Sequence, residues 1–73
     1  MLIEITTETI KLSQLLKKMR LIETGGRAKF FLEEHEVIVN GEKTTSRNKT
    51  IRTNDVLWID DEVYKIINKT ANV

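Results

Sequence analysis

Apolar and polar residues alternate along this chain with two different periods. In residues 2–6, LIEIT, Ile3 and Ile5 fall on one side and Glu4 on the other, the two-residue alternation of a short strand. Leu12, Leu15, Leu16 and Met19 then recur at i, i+3, i+4 and i+7, the apolar stripe of a helix of about two turns. Lys11 and Lys18 share one flank of that helix, a step around from the stripe. After a connection through Leu21 to Glu23 the helical spacing returns at Ala28, Phe31 and Leu32. This second helix starts at Gly25–Gly26, with the Thr24 hydroxyl suited to accept from a first-turn N–H. VIV (37–39) leads into Asn40-Gly41, the strongest two-residue hairpin signal because both turn positions take positive φ. Residues 45–50, TSRNKT, read as a polar basic loop. VLWI (56–59) and VYKII (63–67) read as two further strands joined across Asp60–Glu62, and NKTANV (68–73) as a frayed end. The order strand, helix, helix, hairpin, strand, strand predicts an α+β fold, two short helices packed on one face of a small, mostly antiparallel sheet of four to five strands.

At 73 residues the chain is expected to form one domain, 1–73, with a thin core, because a chain this short buries only about 60% of its unfolded surface. A large substrate cavity is not expected. The absence of cysteine excludes disulfides and thiolate metal sites, leaves stability to packing, and fits a reducing cytoplasm. No apolar run approaches the ~20 residues that span a bilayer, and MLIEITTETI lacks a basic leader, so neither a membrane helix nor a secretion signal is expected.

The formal net charge is only +1, but its distribution is uneven. Lys11, Lys17, Lys18, Arg20, Arg27 and Lys29 face the single acid Glu23 between positions 11 and 29, and Lys43, Arg47, Lys49 and Arg52 face none between 43 and 52. A fold that joins the two windows creates a positive face for a polyanion.

The glycine pair before Arg27 sharpens that expectation. Glycine costs about 1 kcal/mol in a helix, yet at a helix start it removes side chains that hold a phosphate away from the backbone amides, and Arg27 adds a charge-assisted fork. The structural alternative is that Gly25 ends the preceding turn and Gly26 lets the helices pack closely.

Lys11, Leu12, Leu15, Gly26, Arg27, Ala28, Phe31, Leu32, Val37, Val39, Asn40, Gly41 and Asp55, in that order, resemble the αL RNA-binding domain named after small-subunit ribosomal protein four, the S-four domain. The resemblance runs over a motif core of residues 11–59. TGG before AKFFLEEHEV and the SRNK loop look most like the small stand-alone bacterial members of the YaaA and YbcJ kind. What the resemblance implies is a module for structured RNA, ribosomal RNA above all. Thr24, Gly25, Gly26, Arg27 and Lys29 would hold one backbone, flanked by Lys11 and Lys18, with Lys43, Arg47, Asn48 and Lys49 reaching the neighbouring strand. Two positions depart from the pattern. His35 stands where glycine usually follows the second helix, tolerable if it takes a left-handed cap, and Gly26 stands where serine usually precedes the arginine.

The remaining candidates carry less. His35 alone, without cysteine or paired carboxylates, reads as a helix-end residue rather than a metal ligand, and Asp60, Asp61 and Glu62 as a solvated turn. Phe30 lies off the apolar stripe near Arg27. It either offers a ring for base stacking or packs under the first strand, and Trp58 reads as core. No nucleophile with a base, acid pair or phosphate loop is found, so no enzymatic activity, cofactor or small-molecule substrate is expected. A protein-interaction adaptor and a duplex-DNA binder are the competing classes.

Overall fold

The computed structural model describes residues 1–68. Its strands are β1 (Leu2–Ile5), β2 (Thr9–Lys11), β3 (Val37–Val39), β4 (Glu42–Lys43), β5 (Thr50–Arg52), β6 (Val56–Ile59) and β7 (Glu62–Asn68). Its helices are α1 (Leu12–Lys18) and α2 (Ala28–Glu34), the second entered through a 3₁₀ turn, Gly25–Arg27. A five-stranded sheet runs in the order β1-β7-β6-β3-β4, antiparallel throughout except that β1 and β7 are parallel. β2 and β5 form a separate antiparallel ribbon. The fold is therefore the expected α+β arrangement, with the first and last strands brought side by side.

Alternation decides which face of the sheet is dry. Val37 and Val39, Leu57 and Ile59, and Ile5 and Ile66 point inward, where they meet Leu12, Leu15 and Leu16 of α1 and Ala28 and Leu32 of α2. The ribbon adds Ile51, fully buried. Full burial of one such aliphatic side chain is worth roughly 1.5–3 kcal/mol, and no polar side chain among the described residues is buried with them.

Turn chemistry fixes the register. Asn40 and Gly41 take φ of 51° and 85° and close the β3–β4 hairpin with Val39 opposite Glu42. The Asn40 side chain also bridges to the chain entering β6: its Nδ2 donates to Asp55 Oδ1 at 2.9 Å and its Oδ1 accepts from the Val56 N–H at 2.9 Å. Asp55 Oδ2 in turn accepts from the Arg52 N–H at 2.8 Å. Each side-chain oxygen and nitrogen of Asn40 and Asp55 has a partner, which is how a short polar turn holds one conformation.

Several local expectations are corrected. Residues 9–11 and 50–52 are strands, so the loop of 45–50 gives up Thr50 to β5. Thr24 has the extended backbone of a cap, but its side chain makes no capping hydrogen bond. His35 is extended, at φ −120°, and not left-handed. Trp58 is 41% exposed rather than core, because it alternates outward between buried Leu57 and Ile59. Phe30, 58% exposed, does not pack under the first strand. Asn68 is the last residue of β7, in register with Ile5, while the rest of the expected frayed end, 69–73, lies outside the described residues.

Candidate nucleic-acid interface

Lys11 ends β2 and immediately precedes α1, a helix whose own sequence supplies no capping side chain. The cap comes from far along the chain. The Leu12 N–H donates to the Lys49 carbonyl at 2.8 Å and the Ser13 N–H to the Arg47 carbonyl at 3.0 Å. Two amides that a helix start leaves without partners are thereby satisfied, and the basic loop is pinned to the helix end. Lys11 Nζ reaches Thr50 Oγ1 at 3.3 Å across the ribbon. A turn closed from the Lys49 N–H to the Ser46 carbonyl leaves Arg47, Asn48 and Lys49 exposed, and Arg52 is exposed on the same ribbon. The two basic windows meet here. Lys11 and Lys18 line one open groove with Gln14, as their shared flank requires.

The 3₁₀ turn Gly25–Arg27 packs against α1. Neither glycine takes a positive φ, and an added Cβ would meet nothing within 4 Å at Gly25 and only Thr24 Oγ1, at 3.9 Å, at Gly26. Close packing of the helices therefore does not demand glycine at either place. The Arg27 N–H donates to the Thr24 carbonyl at 3.0 Å, whereas among the described residues nothing accepts from the Gly25 or Gly26 N–H. Arg27 and Lys29 are exposed beside them.

Arg27 also lines an open cleft of about 550 Å³ with Arg20, Leu21 and Phe30. Arg20 belongs to the first basic window but is not among the residues the sequence singles out for binding. Its backbone says more: φ is 63°, the Arg20 N–H donates to the Lys17 carbonyl and the Leu21 N–H to the Leu16 carbonyl. This is the paired bonding of a Schellman terminus, whose left-handed position usually holds glycine, and another residue there costs about 1 kcal/mol. Lys43 stands apart from these groups, on the edge strand β4 opposite Ile38, in the row of outward-facing residues that includes Trp58 and Val63.

His35 and Asp60 tie α2 to the β6–β7 turn. His35 Nδ1 lies 2.8 Å from Asp60 Oδ2, and because a carboxylate only accepts, Nδ1 carries the proton. Asp60 Oδ1 takes the Glu36 N–H at 3.1 Å, and the imidazole stacks on Phe31 with centroids 4.3 Å apart. The bond from His35, then that from Glu36, holds the Asp60 carboxyl below its ordinary value of 3.8. Asp60 is thus a structural link and not merely a solvated turn residue. Desolvation, reinforced by the Glu62 carboxylate, raises the Tyr64 phenol above 10, so it stays protonated at neutral pH.

That His35–Asp60 contact is the one approach of a basic to an acidic side chain within 4.0 Å among the described residues. Of the twelve lysines and arginines, eleven lie in the described part, Lys69 being the exception. All eleven are exposed and none has a carboxylate within 4.0 Å among the described residues, although the chain carries eleven acids.

Comparison with known proteins agrees with the fold. The family model of the S4 domain matches residues 3–67, and the chain belongs to that family. It is 47% identical over 58 residues to a Bacillus subtilis (strain 168) protein described as "Probable ribosome maturation protein RlbA", an alignment covering 80% of this chain and 82% of the relative.

Proposed function

We propose that this protein is a cytoplasmic, non-enzymatic RNA-binding module that recognises structured ribosomal RNA and serves ribosome maturation, as the description of its Bacillus relative suggests. The observation that carries the reading is the freedom of its cations. Eleven exposed lysines and arginines have no acidic partner among the described residues, and those at the start of α1, in the 47–49 loop and at the Gly25–Arg27 turn leave their charge for an external polyanion. Lys11, Arg47, Asn48 and Lys49 at the capped start of α1 contact one stretch of backbone, with Lys18 along the flank. Thr24, Gly25, Gly26, Arg27 and Lys29 contact another, the glycine amides approaching phosphate oxygens directly. Lys43 reaches RNA only where it wraps the sheet edge. Recognition is of shape and phosphate, because the A-form major groove is too deep and narrow for side chains to read.

Filter binding to ribosomal RNA fragments across a salt series tests this. With four or five phosphates neutralised, log affinity falls against log salt with a slope of about −3 to −4. Arg27→Ala is expected to weaken binding and flatten the slope by about 1 while leaving the melting temperature within a few degrees, since Arg27 is exposed. A salt-independent affinity would defeat the phosphate reading.

One observation favours a second reading, contact with a protein. Trp58 and Val63 form an exposed cross-strand pair on the face of the sheet away from the helices. An association that survives nuclease treatment would support it.

A further inference from the structure

The cleft between the α1–α2 connection and one side of α2 has a composition that phosphate binding alone does not require. Phe30 leaves 58% of its surface in water and Leu21 leaves 40%, and both line the cleft together with Arg20 and Arg27. Among the described residues the two guanidiniums have no carboxylate within ion-pairing distance, and Arg20 occupies a backbone conformation in which glycine is the less strained choice. At about 550 Å³ the cleft lies within the roughly 300–1,000 Å³ typical of sites for small organic groups. Glu23 and Glu34 also line it; they repel phosphate but accept from N–H groups on the edge of a base.

We propose that this cleft receives a single unpaired nucleotide of the RNA, its base stacked on the Phe30 ring and its phosphate held by Arg20 and Arg27. The inference rests on the RNA-binding reading and adds a substrate class to it: a helix interrupted by a bulge or a flipped-out residue rather than a continuous duplex. An exposed aromatic ring beside an arginine suits an extruded base, because stacking rewards any π-face and the arginines neutralise the backbone that must turn outward. Arg27 connects the cleft to the phosphate surface at Gly25–Gly26, so one RNA can occupy both.

The test compares two RNA hairpins of identical stem, one carrying a single unpaired purine, bound by the wild-type chain, Phe30→Ala, Phe30→Leu and Arg27→Ala. The wild-type chain is expected to prefer the bulged hairpin. Phe30→Ala should lose about 5- to 150-fold in affinity for it, the range for removing one base–aromatic stack, with unchanged affinity for the paired hairpin. Phe30→Leu, which keeps apolar bulk without a ring, should behave as Phe30→Ala. A fluorescent purine analogue at the unpaired position should be quenched by the wild-type chain and not by either Phe30 variant. Arg27→Ala should weaken both hairpins. Equal wild-type affinity for the two hairpins, or a preference that survives Phe30→Ala, overturns the nucleotide site while leaving the phosphate surface standing. Loss of salt-dependent binding to both hairpins removes the RNA reading itself.

Discussion

At the scale of single residues, the two polar positions most visible in the family pattern do structural work. Asn40 combines a left-handed backbone with a side chain that bonds both Asp55 and the Val56 N–H. Asn40→Gly keeps the backbone permissive and removes only those bonds, whereas Asn40→Ala adds left-handed strain. Urea unfolding should show Asn40→Gly destabilised by about 1–2 kcal/mol and Asn40→Ala by about 1 kcal/mol more. Because Asp55 shares the clasp, the Asn40→Gly/Asp55→Ala double variant should lose less than the sum of the singles; strict additivity would show that the clasp is not a unit. Gly26 has the opposite character. With open space around it and no positive φ, Gly26→Ala should gain up to about 1 kcal/mol of stability by restricting the unfolded chain. If the amides meet phosphate, Gly26→Leu should bind RNA more weakly even though it folds. A stable Gly26→Leu protein with full affinity would leave the glycine pair without a ligand role.

At the scale of elements, sequence legibility follows the range of the interactions. The helices were readable because Leu12, Leu15 and Leu16, and Ala28 and Leu32, repeat on one side within a few residues. The β3–β4 turn was readable because Asn40-Gly41 carries its own conformational preference. The β2–β5 ribbon was not, since each strand has three residues and Ile10 opposite Ile51 gives alternation nothing to count. Nor was the capping of α1, whose acceptors on Lys49 and Arg47 lie more than thirty positions away. The basic loop was found as a composition, but only the fold sets it beside Lys11. The link between α2 and the β6–β7 turn was equally hidden, and it makes a pH prediction. Asp60 is held below 3.8 in the folded chain, so its share of stability is complete above that value and fades as pH falls through 3.8 toward the lowered folded value. Asp60→Asn should therefore melt below the wild-type protein at neutral pH, and the gap should close on acidification. A gap that stays constant from pH 7 to below pH 3 would mean that the carboxylate charge is irrelevant to the link.

At the scale of the whole molecule, its two faces offer different chemistry. The helices, the ribbon and the turn at Gly25–Arg27 carry Lys11, Lys18, Arg27 and the 47–49 loop, while the outer face of the sheet presents Trp58 flanked in register by Ile38 and Val63. One apolar layer serves the whole sheet, since the helices cover only the side onto which Leu57 and Val37 project. The outer residues consequently stay partly wet, with Trp58 at 41% and Val63 at 38% exposure. Trp58 is the only tryptophan, which makes it a reporter for that face alone. RNA held as proposed should leave its emission maximum in place, because the ring stays in water and the ligand approaches from the helical side. A protein partner seated on the sheet should shift the emission to the blue by desolvating the indole, and Trp58→Ser should abolish that association while leaving RNA affinity within about twofold. A blue shift on adding RNA alone would instead place the nucleic acid on the sheet, and the assignment of the two faces would have to be exchanged.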